Sequence, residues 1–304
     1  RRFIMATQVK AIESKVFVEK RREEGPVKIF IKKLLLYLPL IIWTVVVAFP
    51  FWYMLVLSTK GKAEIFNFPP PMSLSKNFWE GFLENYNNLL AQLPFWRNVW
   101  NSVYIAIMST ITAMFFCSLG GYGFSIYEFK GKRLMFNFMI FTMMIPSIVG
   151  IVPYFVLMNW FGWLNKARAL YIPGMANAFG IFLIRQYINS SVPMDLIDAA
   201  RVDGCSEFGI YWRIVLPLIS PILGSYAIIT FLGSWNNYMA PLVVLRTMES
   251  YTIPVALGAL KGLQSVDYGA IMVGNVISVF PLLIVYVFFS KMIIDKVTEG
   301  ALKG

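Results

Sequence analysis

Histidine is absent from the 304 residues, and cysteine occurs only twice. Without histidine the chain lacks the most common general base and the most common metal ligand of proteins. Cys117 lies inside an apolar run and Cys205 in a polar loop, so the two thiols are too few and too differently placed for a disulfide framework or a metal site. We therefore expect two free thiols, no metal site and no cofactor bound by this chain.

Charged residues are also scarce, at 14% of the chain, whereas hydrophobic residues make up 58% and the mean hydropathy is +0.64. These values lie outside the range of soluble globular proteins and predict a polytopic membrane protein. The net charge of +11 does not indicate a nucleic-acid partner, because the basic residues cluster in short connections between apolar runs. Such clusters are typical of the cytoplasmic loops of membrane proteins.

Six apolar runs predict an all-α membrane protein with six transmembrane helices. The first run has 24 residues without a charge, enough to cross a hydrocarbon core of about 30 Å at about 1.5 Å per residue. The fourth is short and is interrupted by Pro173. The one charged residue within these runs is Lys291, three residues before the end of the last run. The predicted spans are 34–57, 103–126, 134–158, 170–183, 217–235 and 270–294.

Both termini are predicted to be cytoplasmic. With six crossings and this orientation, 19 of the 27 basic residues fall on the cytoplasmic side, as the positive-inside rule expects. The chain then divides into a cytoplasmic N-terminal arm, 1–33, a transmembrane domain, 34–294, and a cytoplasmic C-terminal tail, 295–304.

The segment 190–221 is a polar interruption between the fourth and fifth spans, with the sequence SSVPMDLIDAARVDGCSEFGIYWRIVLPLISP. Pro193 suits the first turn of a helix, and Gly204 provides the backbone freedom for a sharp turn. Ser206 then offers a second N-cap, with Glu207 near the positive end of the next helix dipole. The pattern predicts a helix, a glycine elbow and a second helix.

In pattern this loop resembles the EAA loop of ATP-binding-cassette (ABC) importer permeases, whose consensus is E-A-A, three residues, Gly and a later I-x-L-P. The matching residues are Asp198-Ala199-Ala200, Asp203-Gly204 and Ile214-Val215-Leu216-Pro217, with Asp198 in place of the usual Glu. The resemblance implies a cytoplasmic coupling helix that docks on an ATPase subunit. The implied docking residues are Asp198, Ala199, Ala200, Asp203, Gly204, Ser206 and Glu207.

Two further phrases resemble the permeases of carbohydrate importers. W-N-N-Y-M-A-P-L, at 235–242, follows the fifth span, and the last nine residues are similar to the tail of the MalG-like branch of maltose-type permeases. In that branch the tail reaches into the interface between two ATPase subunits. By this resemblance the tail contacts are Glu299, Gly300, Lys303 and Gly304.

The resemblance covers the chain from the first span to the terminus and implies the importer-permease (MetI-like) fold. It implies a translocation path for a sugar or oligosaccharide in a prokaryotic inner membrane, where a multi-pass chain contacts lipid. The implied partners are a second homologous permease subunit, forming a heterodimer, two cytosolic ATPase subunits and an extracytoplasmic solute-binding protein. Since this chain has no G-x-x-x-x-G-K-S/T phosphate loop, ATP and Mg²⁺ are expected on the ATPase subunits, and the chain is not expected to be an enzyme.

Uncharged polar and aromatic residues near the spans are candidates for a sugar path, because they suit a solute that bears hydroxyl groups. Asn and Ser in lipid also form hydrogen bonds between helices, so each candidate has a structural alternative. The candidates are Asn177, Trp235, Asn236, Asn237, Asn275 and Ser278.

Three other functions compete with sugar import. An importer permease for amino acids, polyamines or phosphate shares the central loop. An ion-coupled secondary transporter usually places ionisable residues within the bilayer, and the one charged residue in the predicted spans is Lys291, near the end of the last span. A membrane enzyme is disfavoured because no histidine, paired carboxylates or nucleophile motif lies at a membrane boundary.

Overall fold

The computed structural model describes the backbone of residues 26–262 and 266–301 and the side chains of residues 31–262 and 266–288. Every regular element within these ranges is helical. The chain divides into two compact units, Arg1–Tyr53 and Met54–Gly304. The predicted N-terminal arm, 1–33, lies outside the described residues as far as residue 25.

Helix α1 (Pro26–Leu57) contains the predicted first span and begins in the first unit. Pro39 and Pro50 lie inside the helix and do not end it. The side chains from Leu34 to Val47 are largely apolar and exposed, and Thr44 Oγ1 donates to the Leu40 carbonyl at 2.7 Å. An apolar surface of this kind suits a helix surrounded by lipid.

The second unit contains the remaining described helices, whose central member is α4. They are α2 (Lys62–Ile65), α3 (Phe78–Gln92), α4 (Phe95–Ile126), α5 (Lys132–Thr142), α6 (Ile151–Trp160), α7 (Arg168–Tyr171), α8 (Ala178–Ser191), α9 (Met194–Val202), α10 (Glu207–Ile210), α11 (Leu216–Leu218), α12 (Ser220–Trp235), α13 (Met239–Val244), α14 (Ile253–Leu260) and α15 (Tyr268–Ala301). A 3₁₀ turn, Ser147–Gly150, precedes α6, and a π-helical turn, Tyr211–Val215, joins α10 to α11.

Helix α4 packs against α8 at a contact made possible by small residues. A Cβ atom on Gly120 would lie 3.1 Å from Ile181, and one on Gly121 would lie 2.9 Å from Ile184 and 3.1 Å from the backbone nitrogen of Arg185. Close helix approach through small residues is the usual means of helix association in lipid. Gly123, two residues further along α4, differs from these two glycines, because a Cβ atom there would meet no atom within 4 Å.

Buried polar groups also join α4 to the neighbouring elements. Ser118 and Tyr211 are hydrogen bonded through their hydroxyl oxygens at 2.7 Å, and Asn177 Nδ2 donates to the Tyr226 hydroxyl at 2.6 Å. The thiol of Cys117 lies 3.3 Å from the same Tyr226 hydroxyl. These contacts satisfy polar groups inside the helix bundle, so their cost of burial is offset.

The two ends of α4 carry different sets of loops. At its start, Asn98 Nδ2 donates to the carbonyl of Met248 at 2.7 Å, and Ser102 Oγ accepts from the Ile253 amide at 2.8 Å. At its end, Tyr127 donates to Glu207 at 2.7 Å. Since α4 has 32 residues, its ends are about 48 Å apart at about 1.5 Å per residue. The polar loop and the turn after α4 therefore lie at one end, and the segment 245–253 lies at the other.

In the described part of the chain, not every predicted span is a single continuous helix. Among the described residues, three helices are long and apolar enough to cross a membrane: Ile31–Leu57, Phe95–Ile126 and Tyr268–Phe288. Two bent pairs raise the number to five if each pair is one span: Lys132–Thr142 with Ser147–Trp160, bent by 93°, and Glu207–Leu218 with Ser220–Trp235, bent by 78°.

The predicted third and fourth spans differ most from the observed helices. The run 134–158 breaks before Pro146, since proline disfavours helical backbone in the preceding residue and cannot donate a helical hydrogen bond. The run 170–183 is wrong in its bounds, because the helix there is Ala178–Ser191. Its start is fixed by Asn177, whose side-chain oxygen accepts from the Gly180 amide at 2.8 Å.

Candidate functional site

The elbow of the polar loop is formed by the C-terminal cap of α9. The amide of Gly204 donates to the carbonyl of Arg201 at 3.0 Å, and the amide of Cys205 donates to that of Ala200 at 3.0 Å. These two bonds form a Schellman motif, which requires left-handed backbone at its central residue. Gly204 has φ +78°, which glycine adopts without the steric cost of a Cβ atom. The predicted glycine elbow is confirmed.

The second helix of the loop begins as predicted at Ser206. Its side chain accepts from the Gly209 amide at 3.2 Å, and Glu207 is the first helical residue. A carboxylate in this position interacts favourably with the helix dipole. The helix continues through the π-helical turn into α11, so the loop is anchored in the bundle core through buried Ile210 and Tyr211.

An ion pair connects the two arms of the elbow. Arg201 Nε and Nη2 donate to the two carboxylate oxygens of Glu207 at 2.8 and 3.3 Å, and Arg201 Nη1 donates to Asp198 Oδ1 at 3.0 Å. Hydrogen bonding to Glu207 raises the pKa of the Arg201 guanidinium above its ordinary value. The bidentate geometry fixes the two arms relative to each other more firmly than a single contact would.

Two tyrosines tie the same carboxylate to the end of α4. The hydroxyl of Tyr127 donates to Glu207 Oε2 at 2.7 Å, and that of Tyr122 donates to it at 3.3 Å. Glu207 therefore links the loop to the long helix at the centre of the second unit. We call this set, Arg201, Glu207, Tyr122 and Tyr127, the elbow brace. Sequence reasoning did not find the two tyrosines, because they lie about 80 residues away in the chain.

The predicted docking residues do not share one environment. Ala200 is 5% exposed and packs with Ile197 in the core of the bundle, so it is turned towards this chain and not towards a partner. The other six are exposed on the loop: Asp198, Ala199, Asp203, Gly204, Ser206 and Glu207. The loop therefore has a small, acidic exposed surface around Ala199.

Large apolar side chains on the same loop were missed by the sequence analysis. Val202 is 88% exposed, and Met194 and Phe208 are also exposed. The rings of Phe208 and Trp212 stack with centroids 6.2 Å apart. Exposed apolar residues within a polar loop are a signal of contact with another protein. A search of the loop sequence for apolar residues outside the helix face that carries Ile197 and Ala200 would have found them.

Glu207→Gln is expected to loosen the elbow brace without unfolding the bundle. The change keeps the size of the side chain but removes the charge that Arg201 contacts. Partly exposed ion pairs contribute about 1 kcal/mol or less, so amide exchange of residues 198–209 should rise by about two- to fivefold in hydrogen–deuterium exchange. Glu128→Gln, which breaks the exposed Glu128–Lys132 pair, is the matched control and should leave these amides unchanged. Equal exchange in wild type and Glu207→Gln would contradict the brace.

The first two predicted sugar-path residues have structural partners. Asn177 caps α8 and donates to Tyr226. Trp235 is 3% exposed and stacks on Phe231, with centroids 5.9 Å apart, in an apolar cluster. Both side chains therefore have contacts within the protein, which favours a structural role for each over contact with a sugar.

The remaining four path candidates have different surroundings. Asn237 lines a cavity of about 410 Å³ together with Ser147, Tyr154 and Gly174. Asn236 is exposed and donates to the Leu232 carbonyl at 3.0 Å. Asn275 is half-buried in α15, and Ser278 donates to the Gly274 carbonyl at 2.6 Å. The Asn237 cavity is bounded by the bend between α5 and α6.

The predicted tail contacts fall at the limit of the described residues. Glu299 and Gly300 lie on the helical backbone of α15, which continues to Ala301. Lys303 and Gly304 lie outside the described residues. Their contact with ATPase subunits stays a prediction.

A family described as "binding-protein-dependent transport system inner membrane component" matches residues 119–299 of this chain. Several curated permeases are similar over most of their length. The arabinooligosaccharides transport system permease protein AraQ of Bacillus subtilis is 32% identical, covering 84% of this chain and 90% of that protein. The trehalose/maltose transport system permease protein MalG of Thermococcus litoralis is 32% identical, covering 90% of this chain and 98% of that protein.

The fold is similar to that of solved ABC transporters. A chain in the crystal structure of a bacterial ABC transporter involved in the import of the acidic polysaccharide alginate has a TM-score of 0.72 and 25% identity, covering 86% of this chain and 96% of that one. A second structure, of a bacterial alginate ABC transporter in complex with an alginate pentasaccharide-bound periplasmic protein, has a TM-score of 0.63 and 18% identity, covering 88% and 97%. The chain described here belongs to the inner-membrane components of binding-protein-dependent transport systems, the permeases of ABC importers.

Proposed function

We propose that this chain forms part of the translocation path for a sugar or oligosaccharide and couples it to cytosolic ATPases through the loop 190–221. The observation that supports it most is the similarity, over most of the chain, to permeases named for arabinooligosaccharides and for trehalose and maltose. The alginate transporter of the same fold extends the named cargo of such proteins to a polysaccharide. An uncharged lining, such as that of the cavity at Asn237, is compatible with a hydroxylated solute.

The proposed topology has six crossings with both termini in the cytoplasm, in a prokaryotic inner membrane. It is supported by the separation of the loops on α4. The two predicted cytoplasmic connections meet where Tyr127 donates to Glu207, and predicted external segments meet where Asn98 and Asn101 donate to carbonyl groups of 248–251. Each bent pair then counts as one crossing, and the segment 168–191, which contains α7 and α8, supplies the sixth.

The proposed partners follow from the family and from the exposed loop. A second homologous permease and two ATPase subunits complete the transporter, and ATP with Mg²⁺ binds to the ATPases. An extracytoplasmic solute-binding protein delivers the sugar. The acidic, small-residue surface around Ala199, flanked by Val202 and Phe208, is suited to a partly apolar groove with a basic rim. The helix-and-elbow shape allows this surface to move as a rigid body.

Reconstitution tests this function directly. The assembled transporter in proteoliposomes, with its solute-binding protein, is expected to import the sugar that co-purifies with that protein, in the presence of ATP and without an ion gradient. The bound solute is identified by mass spectrometry. An amino acid, polyamine or phosphate in the binding protein would contradict sugar import. Uptake that needs an ion gradient but no ATP would contradict the coupling to ATPases.

A further inference from the structure

A cavity of about 910 Å³ lies beside the turn that joins α4 to α5, and it shares no lining residue with the Asn237 cavity. Its charged lining consists of Lys132 and Arg133 from the start of α5, Arg185 from α8 and one acid, Glu128. The volume is within the range of about 300–1,000 Å³ typical of ligand sites. Nothing in the coupling mechanism uses these residues.

The cavity contains more positive charge than its own acid neutralises. Glu128 accepts from Lys132 Nζ at 2.7 Å, so that carboxylate is paired. Arg133 has no ion pair within the described part of the chain. Arg185 uses Nε to donate to the Phe124 carbonyl at 3.1 Å and lies over the Phe136 ring at 4.1 Å. The terminal nitrogens of its guanidinium have no hydrogen bond or ion pair among the residues that the structure describes, so they can bind an anion.

The backbone adds to this positive charge. Helix α5 begins after Gly131, which has φ +85° and provides no side-chain cap, and its first turn contains no acid. The Lys132 amide donates to the Phe129 carbonyl at 3.2 Å, whereas the next amides at the start of a helix lack partners within the helix and favour an anion. Two basic residues, Lys132 and Arg133, instead occupy this positive end, where the helix dipole disfavours them. An external anion would relieve this repulsion.

The surface next to the cavity is apolar. Leu134, Met135 and Phe138 are exposed on the turns of α5 that follow the cationic start. The helix belongs to one of the bent pairs that are apolar enough to cross a membrane. A ligand that reaches both the cations and this surface must have an anionic head and an apolar tail.

We propose that this cavity binds the headgroup of an anionic phospholipid. The phosphate lies between Arg133 and Arg185 at the uncapped start of α5, and the acyl chains follow the exposed apolar side of that helix. Because Arg185 also bonds to the last turns of α4, the lipid joins α4, α5 and α8 next to the elbow brace. Basic pockets between membrane helices at the cytoplasmic surface are suited to such headgroups.

The test uses the assembled transporter, titrated in detergent with dioleoyl phosphatidylglycerol or dioleoyl phosphatidylcholine and analysed by native mass spectrometry. Wild type is expected to retain phosphatidylglycerol in preference to phosphatidylcholine. Arg133→Gln is expected to weaken this retention about fivefold, since a cation beside an anionic headgroup contributes about 1 kcal/mol. Arg133 is exposed and has no ion pair within the described chain, so its replacement keeps the fold, whereas Arg185→Gln also removes the bond to Phe124.

Lys130→Gln is the matched control, because Lys130 is exposed on the same turn but does not line the cavity. It should retain phosphatidylglycerol as wild type does. Equal retention of the two lipids by wild type, or an equal loss in Lys130→Gln and Arg133→Gln, would overturn the proposal. Displacement of the lipid by equimolar glycerol 1-phosphate would show a site for soluble phosphates instead. Disulfide cross-linking of Arg133→Cys to an ATPase subunit would show a protein contact instead, and either result would overturn it.

Discussion

Ala199→Arg is expected to reduce ATP-driven uptake about tenfold or more while the permease stays folded and assembled in the membrane. Ala199 is exposed on α9, beside Asp198 and near the elbow, so a long side chain there extends into solvent and leaves the bundle core untouched. A partner that packs closely on this helix must either exclude the arginine or bury an unpaired charge. Such a charge costs about 2–5 kcal/mol at an interface, so uptake in proteoliposomes should fall by about tenfold or more.

The neighbouring alanine provides the comparison that separates docking from folding. Ala200 is 5% exposed and packs with Ile197, so Ala200→Arg would bury a charge in the core of this chain and is expected to reduce the amount of folded permease. Ala199→Ser should transport as wild type does. Undiminished uptake by Ala199→Arg would rule out docking at this surface. Loss of folded protein in Ala199→Arg, by size-exclusion chromatography, would mean that the residue acts in folding.

The elbow was predictable from the sequence because its determinants are local. A glycine three residues after Arg201 and a serine two residues later are sufficient to end one helix and begin the next, and both caps are present. Which alanine faces outwards was not predictable, because the answer depends on core residues such as Tyr211 and Ile184 that are distant in the chain or on other helices.

The bent segments and the sugar path depended on information that a single sequence does not contain. Pro146 in an apolar run is compatible with a kinked helix or with a break, and the structure has a 93° bend there. Trp235 next to two asparagines resembled a sugar-stacking residue, yet its ring is buried against Phe231. Aromatic residues fill cores as well as they bind sugars, so the residue type alone cannot distinguish these roles.

Gly121→Val is expected to destabilise the permease, because Gly121 lies at the contact between α4 and α8. A Cβ atom at Gly121 would lie 2.9 Å from Ile184 Cγ2 and 3.1 Å from the Arg185 backbone nitrogen, and Ile184 is fully buried. The two helices must move apart to admit the side chain, because a backbone atom cannot rotate away. Overpacking of this kind costs about 1–3 kcal/mol, so the purified permease should unfold at a clearly lower temperature.

Gly123→Val is the control for this prediction, since it lies two residues further along the same helix and a Cβ atom there meets nothing within 4 Å. It removes a glycine from the helix interior, where glycine is about 1 kcal/mol less favourable than alanine, so its unfolding temperature should be unchanged or slightly raised. The two variants change helix propensity equally, and the difference between them isolates the contact with α8. Equal unfolding temperatures for Gly121→Val and Gly123→Val would show that α4 and α8 do not pack through Gly121. Because α8 leads directly into α9, a separated pair should also transmit motion from the loop less effectively, and uptake by Gly121→Val should fall even where the variant remains folded.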